Sequence, residues 1–202
     1  MPETTRDIPT GTPAERIVEV ASDLFFNQGF RATGINEVIS RSGVAKATFY
    51  SHFKSKDDLC CEYLKQSRHQ AMSFIEQSIA NARTPLNKFL APMRAMKGVM
   101  IETEFRGCAF MNIASEVPDC CSPLRKEGIA LYEFIDDRLT ELSRALVASD
   151  PAKYSALNPV QLGKHYNVIM AGALALSEVY GAAWPLQQGL KTLHAVIGES
   201  SR

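Results

Sequence analysis

The sequence predicts an all-α protein, and three observations carry that prediction. Apolar residues recur at three- and four-residue spacing along most of the chain, as they do on one face of a helix. Capping residues followed directly by proline stand at Thr12-Pro13, Thr84-Pro85, Ser122-Pro123 and Asn158-Pro159, and each pair reads as a helix start. Between Thr33 and Lys56, two short helical patterns meet at Ser42-Gly43, where glycine supplies the left-handed conformation a sharp turn needs. Start and stop signals together give about nine helices. The 202 residues allow one large or two small domains, and an apolar share of 46% supplies a sizeable core.

Residues 1–11 are polar, contain proline and glycine, and read as a loose arm with Arg6 as its only basic residue. The first helix starts at Thr12, with Pro13 in the first position and Glu15 closing a capping box. Ile17, Val20, Ala21 and Leu24 form its apolar face, Phe25 widens it, and Gly29 ends it. Thr33 is expected to cap the second helix, in which Ile35, Val38 and Ile39 share one face. The third helix, from about Lys46 to Phe53, is expected to bury Ala45, Phe49 and Phe53 at four-residue spacing. Ala47, Thr48, Tyr50, Ser51 and Lys54 then point elsewhere. Ser55-Lys56-Asp57-Asp58 opens a fourth helix reaching about Asn81, roughly 40 Å long at ~1.5 Å per residue.

Charge is distributed to match. The formal net charge is zero, so a nucleic-acid binder built on this chain must concentrate positive charge locally. From Ile39 to Lys56 there is no acidic residue, while Arg41, Lys46, Lys54 and Lys56 are basic. A short helix held by its back, with hydroxyls, small side chains and positive charge in front, suits a DNA major groove. No apolar run reaches transmembrane length and no signal-peptide pattern opens the chain, so neither membrane nor export is expected. The five cysteines (60, 61, 108, 120 and 121) form neither an even disulfide framework nor a CxxC zinc pair, which points to reduced thiols in a cytoplasmic protein. No Ser/His/Asp set, HExxH or phosphate-binding glycine loop is present, and the four histidines are scattered. Neither catalysis nor a cofactor nor a bound metal is expected.

The ordered set AxxLFFNQGFRATGINEVISRSGVAKATFYSHFKSKDDL, within residues 13–65, resembles the N-terminal domain of the TetR (tetracycline repressor) family of bacterial regulators. Two positions depart from the usual pattern. Ala45 stands where many relatives have serine, which removes a helix cap, and Ala47 stands where many have glycine. Ala47 offers a methyl to a thymine methyl, which implies an altered operator. The resemblance implies phosphate contacts from Thr33, Thr48, Tyr50, His52 and Lys56, with Lys46 and Ala47 near base edges. For Tyr50 and His52 a packing or capping role stands beside the contact. The resemblance divides the chain into an arm (1–11), a helix-turn-helix DNA-binding domain (12–55) and a ligand-binding and dimerisation domain (56–202).

Thr84-Pro85 starts the fifth helix, marked by Leu86, Phe89, Leu90, Met93, Met96, Met100 and Ile101, with Pro92 expected to kink it or delay its start. Three of the seven methionines fall on this stretch, either as core filler or as an adaptable ligand wall. Arg106-Gly107-Cys108 to Asn112 resembles the RGCxxxN segment of a subset of these regulators. Cys108 to Glu116 reads as a short sixth helix, stopped at Val117-Pro118-Asp119. Ser122-Pro123 starts the seventh, with Leu124, Leu131, Ile135, Leu139, Leu142 and Leu146 on its apolar side and Ser149-Asp150-Pro151 as its end. Residues 151–158 read as a loop. The eighth helix runs from Asn158-Pro159 to about Ala183, Trp184-Pro185 breaks it, and a ninth covers about 186–198.

The family implies a homodimer through the eighth and ninth helices, bound to double-stranded operator DNA with its two recognition helices about 34 Å apart. It further implies a repressor released by a small effector. Candidate pocket residues are Phe74, Met93, Met96 and Met100 on the fourth and fifth helices, and Cys108, Phe110 and Met111 around the sixth. Tyr132, His165, Tyr166 and Trp184 complete the set. They are apolar or aromatic with a few polar tips, which suits a small hydrophobic or aromatic molecule. For His165 a satisfied core histidine is the favoured reading over a ligand contact. The alternative is a thiol sensor switching through Cys108, which stands near a helix N-terminus, where the dipole favours thiolate; a buried, inert cysteine is the favoured reading of the same position.

Overall fold

The structure, a computed structural model, describes residues 10–199. Most of the expected arm, residues 1–9, lies outside the described residues. Ten helices follow in order: α1 Pro13–Asn27, α2 Ile35–Ser42, α3 Lys46–His52, α4 Lys56–Ala80, α5 Pro85–Glu102, α6 Ala109–Glu116, α7 Pro123–Ser149, α8 Pro151–Tyr154, α9 Pro159–Tyr180 and α10 Trp184–Val196. No strand occurs among the described residues. Two compact units form. One takes the chain up to Arg68 with Ala109–Gly128; the other takes His69–Cys108 and the chain from Ile129 onward. Compact packing therefore does not follow chain order, because α6 and the start of α7 join the N-terminal helices.

In the first unit, α1 opens with the full capping box. The Glu15 N–H donates to Thr12 Oγ1 at 3.3 Å and the Thr12 N–H donates to Glu15 Oε2 at 2.8 Å. Ile17, Val18, Ala21, Leu24 and Phe25 are buried, and the Phe25 ring lies 5.5 Å from Phe30 and 5.9 Å from Tyr63. Gly43 takes φ +64° at the α2–α3 turn, a conformation that costs other residues about 1–2 kcal/mol. Two expectations are corrected here. Thr33 does not cap α2: Gly34 is the N-cap, and the Thr33 hydroxyl turns inward to donate to the Gly29 carbonyl at 2.8 Å. Ala45 is not buried; as N-cap of α3 it is exposed, and Phe49 fills the back of that helix while Phe53 is half-buried.

The second unit is a helical bundle around Phe89, Leu90, Leu139, Leu142, Leu146, Leu162, Tyr166, Leu186 and Leu193. Pro92 does not delay α5, which starts at Pro85 under the Thr84 cap. Next to that proline, the Met93 N–H donates to the buried Tyr166 hydroxyl at 2.9 Å, and the Tyr166 ring meets Phe89 edge-on at 5.0 Å. Burial pushes the Tyr166 hydroxyl pKa well up, so it stays protonated. α9 lies so close to α7 that a Cβ on Gly163 would stand 2.9 Å from the Thr140 amide nitrogen.

The ends of three elements differ from expectation. Residues 151–158 are not all loop, because Asp150 accepts from the Lys153 N–H at 3.1 Å and Pro151 starts the short α8. The cap-plus-proline signal read as a stop is also a start, and α8 raises the count from about nine to ten. α9 ends at Tyr180 rather than near Ala183, since Gly181 takes φ +56° as its left-handed cap. Trp184-Pro185 then opens α10 instead of interrupting α9.

Candidate nucleic-acid interface and ligand cavity

α3 is held from behind. Phe49 is completely buried, with Tyr50 edge-on at 5.2 Å and Phe53 at 6.1 Å. The front is left to small and polar side chains. Lys46, Ala47, Tyr50, Ser51, His52 and Lys54 are exposed and Thr48 is half-buried. The Ser51 hydroxyl donates to the Thr48 carbonyl at 2.7 Å. No side chain caps α3, so its first N–H groups lack the partner a serine at position 45 would supply.

The four basic residues separate into two pairs. Arg41 bridges Asp23 at 2.9 Å and lies 3.7 Å from Glu37, which fixes α2 to α1. Lys56 donates to the carbonyls of Phe30 at 2.9 Å and Thr33 at 3.1 Å, with its ammonium 4.4 Å from the Phe30 ring centre. Lys46 and Lys54 are exposed and join no ion pair among the described residues. Of the expected DNA contacts, Lys46, Ala47, Tyr50 and His52 are exposed on α3 and Thr48 is half-buried. Thr33 is buried, and Lys56 has one of its three donors left.

A further residue shapes this unit and carried no local signal. Glu116, at the end of α6, accepts the Phe30 N–H at 3.0 Å and the Arg31 N–H at 2.6 Å. The α1–α2 turn is therefore held by a carboxylate on the N–H side and by the Lys56 ammonium on the carbonyl side. Gly29, at φ +100°, lets the carboxylate in, because a Cβ there would stand 3.0 Å from Glu116 Oε1.

The second unit contains an apolar cavity of about 90 Å³. Of the expected pocket residues, Phe74, Met96, Cys108 and Tyr132 line it. Ile75, Pro92, Leu131, Ile135, Asn167, Met170 and Leu174 line it as well. Its polar groups are few. Cys108 Sγ lies 3.9 Å from Tyr132 Oη, and the Asn167 amide donates to Asp136 at 2.5 Å. Burial, and then the neighbouring Cys108, push the Tyr132 pKa well up, so its hydroxyl remains a donor throughout the neutral range. The other expected residues lie elsewhere. Met93, Met100 and Tyr166 are core; Phe110 and Met111 belong to α6 in the first unit; His165 is exposed. Trp184 is 48% exposed and its ring meets Tyr180 at a tilt, centroids 5.1 Å apart. Asn167 was the missed polar member, and its only sequence signal was a lone amide in the apolar run of α9.

α9 also presents an apolar face to solvent. Val168 is 72% exposed and Val179 77%, with Leu176 and Tyr180 exposed on the same helix. Val168, Gly172, Leu176 and Val179 follow one another at four-, four- and three-residue spacing, which is one stripe. A Cβ on Gly172 would meet nothing within 4 Å. Among the described residues, no helix is long and apolar enough to cross a membrane.

Known proteins share this chain's family and fold. Residues 17–62 match the family described as bacterial regulatory proteins, tetR family. The chain is 35% identical over 132 residues to the HTH-type transcriptional regulator LmrA of Bacillus subtilis, covering 61% of this chain and 70% of that protein. It is 27% identical over 169 residues to the uncharacterized regulator YxaF of the same organism, covering 83% and 85%. A match to YerO, also from Bacillus subtilis, is 42% identical but spans 33% of this chain and only 24% of that protein. The crystal structure of SCO4454, a regulator from Streptomyces coelicolor, superposes with a TM-score of 0.83 at 25% identity, covering 96% of this chain and 92% of that one.

Proposed function

The chain belongs to the TetR family of transcriptional regulators, and from that premise we propose that it is a homodimeric repressor released from its operator by a small apolar or aromatic effector. The observation that carries the reading is the front of α3, where Lys46, Ala47, Tyr50 and His52 are exposed above the buried Phe49. Lys46 and Ala47 read base edges; Thr48, Tyr50 and His52 contact phosphates. Lys56 keeps one donor for a phosphate while two hold the turn. Thr33 acts indirectly by shaping the start of α2, whose first N–H groups then face the backbone. The exposed stripe of α9, with α10, pairs with its copy about a two-fold axis. The protein works in the cytoplasm, where the DNA is.

The effector enters the cavity lined by Phe74, Met96, Cys108 and Tyr132, with Tyr132 and Asn167 supplying polar contacts. At about 90 Å³ the cavity is smaller than the roughly 300 Å³ at the low end of ligand sites. Flexible Met96 and Met170 must therefore move. Release follows only if the effector binds the widened state more tightly than the closed one. Gel shift with the DNA upstream of the chain's own gene, at low salt, is the direct test. Binding that weakens as salt rises and is reversed by small aromatic compounds is expected; absence of any binding without effector would falsify the reading. Cys108, on the cavity wall 3.9 Å from Tyr132, supports a second reading, a thiol sensor. If oxidants or electrophiles still release DNA from the Cys108→Ser variant, that second reading fails.

A further inference from the structure

The loop between α6 and α7 places three ligand atoms together. A carboxylate oxygen of Asp119 and the thiols of Cys120 and Cys121 lie within 4.8 Å of one another, and all three residues are exposed. The two sulfurs stand 3.8 Å apart. Two thiolates on a tetrahedral zinc ion, each at ~2.3 Å, stand about 3.8 Å apart, so the pair already has the spacing such a metal requires.

The loop is held at both ends, which limits the ordering a cation must impose. On the α6 side, Glu116 is fixed to the Phe30 and Arg31 amides. On the α7 side, Ser122 is buried, its hydroxyl accepts the Leu124 N–H, and the Arg125 guanidinium donates to the Ala114 carbonyl at 2.9 Å. Within the loop, Asp119 Oδ1 accepts the Cys121 N–H at 2.9 Å, and the Ser122 N–H donates to the Asp119 carbonyl at 3.2 Å. The other adjacent pair differs. Cys60 is fully buried, burial raises the pKa of both Cys60 and Cys61, and both therefore resist the deprotonation that metal binding requires.

We infer that Asp119, Cys120 and Cys121 form a site for a tetrahedral d10 divalent cation, zinc or its congener cadmium, with two thiolates, one carboxylate oxygen and a solvent-filled fourth position. Binding forms two metal–sulfur bonds and releases the two thiol protons to solvent. No electron is transferred. The inference is independent of the DNA-binding reading.

The test uses the full chain, reduced and metal-free. Cadmium is titrated in, and the thiolate-to-cadmium charge-transfer absorption in the ultraviolet is followed. One equivalent per chain is expected to saturate the band, with proton release into weakly buffered solution and displacement by zinc. Cys120→Ser and Cys121→Ser each lower the affinity about tenfold or more, the double variant loses the band, and Asp119→Ala weakens binding. Cys61→Ser and Cys108→Ser leave it unchanged. A band that persists in the double variant, or single variants that bind as tightly as the parent, would overturn the site. So would the absence of a band in the parent.

Discussion

α3 and α9 each bury one side and expose the other, yet the exposed sides are opposite in character. α3 has seven residues and buries only Phe49; its free side is small, hydroxylic and basic. α9 has 22 residues, buries Leu162, Tyr166, Met170 and Ala173, and shows solvent an apolar stripe. An exposed polar face needs no partner to be stable in water, while a contiguous apolar one calls for a second surface. Under the proposed function the two faces meet two kinds of partner, nucleic acid for α3 and another protein surface for α9. The two helices are also supported differently. A seven-residue helix gains little stability by itself, so α3 depends on one aromatic anchor, whereas α9 is anchored by its length.

That contrast can be broken at the α3 anchor first. Phe49→Ala removes the only fully buried side chain of α3 and should cost about 3–5 kcal/mol, read as a lower urea midpoint. Unchanged stability would mean α3 is held by something other than its core contact. Next comes the exposed stripe. Val179→Asp should leave the monomer's stability nearly unchanged while weakening dimerisation by about 2 kcal/mol or more, seen as concentration-dependent dissociation in sedimentation. A variant that sediments as the parent would remove α9 from the interface.

Smaller changes sharpen the picture. Glu116→Ala deprives the Phe30 and Arg31 amides of their acceptor and should cost about 1–3 kcal/mol, with faster hydrogen exchange at those two amides. Exchange at the parent's rate would show that the carboxylate does not hold the turn. On the buried side of α9, the Ser177 hydroxyl is fully buried with no hydrogen-bond partner among the described residues. Ser177→Ala should be neutral or stabilising by up to about 1 kcal/mol; a clear loss of melting temperature would reveal a partner.

The smallest effect is a pH dependence. Hydrogen bonds from Lys153 and then Tyr154 hold the Glu199 carboxyl below the usual carboxylate range. Its contribution is therefore present above the ordinary glutamate pKa and is lost as pH falls through the lowered folded value. Glu199→Gln should be slightly less stable than the parent at neutral pH and equal to it in acid. Parallel pH profiles for the two chains would contradict the clasp.

Much of this was legible in the chain because the signals were local. Thr12-Pro13-Ala14-Glu15 specified a capping box, Asn158-Pro159 a helix start and Ser42-Gly43 a turn, each within four residues. Phe49 announced itself by period. Failures came where two local rules competed. Thr33 reads as a cap, but its hydroxyl is drawn to the Gly29 carbonyl and the N-cap position falls to Gly34, which makes no side-chain cap. Asp150-Pro151 stops one helix and starts the next. The pocket set was the least legible. Met93 and Met96 lie three residues apart on α5, yet one faces the core and the other the cavity, and which is which depends on where α4, α7 and α9 lie around them.

The sequence by itself determined nine of the ten helices, the turn that aims α3 and the family, since these rest on residues a few positions apart. Only the tertiary structure decided that Glu116 reaches back 85 and 86 residues to the α1–α2 turn. The same holds for the cavity walled by Cys108, Tyr132 and Asn167, and for the division of the basic residues into clamps and free cations. The reason is physical. A cap or a turn is an equilibrium among neighbouring backbone groups, whereas a distant carboxylate partner or a cavity wall is set by how whole helices pack, and no spacing rule within one helix encodes that.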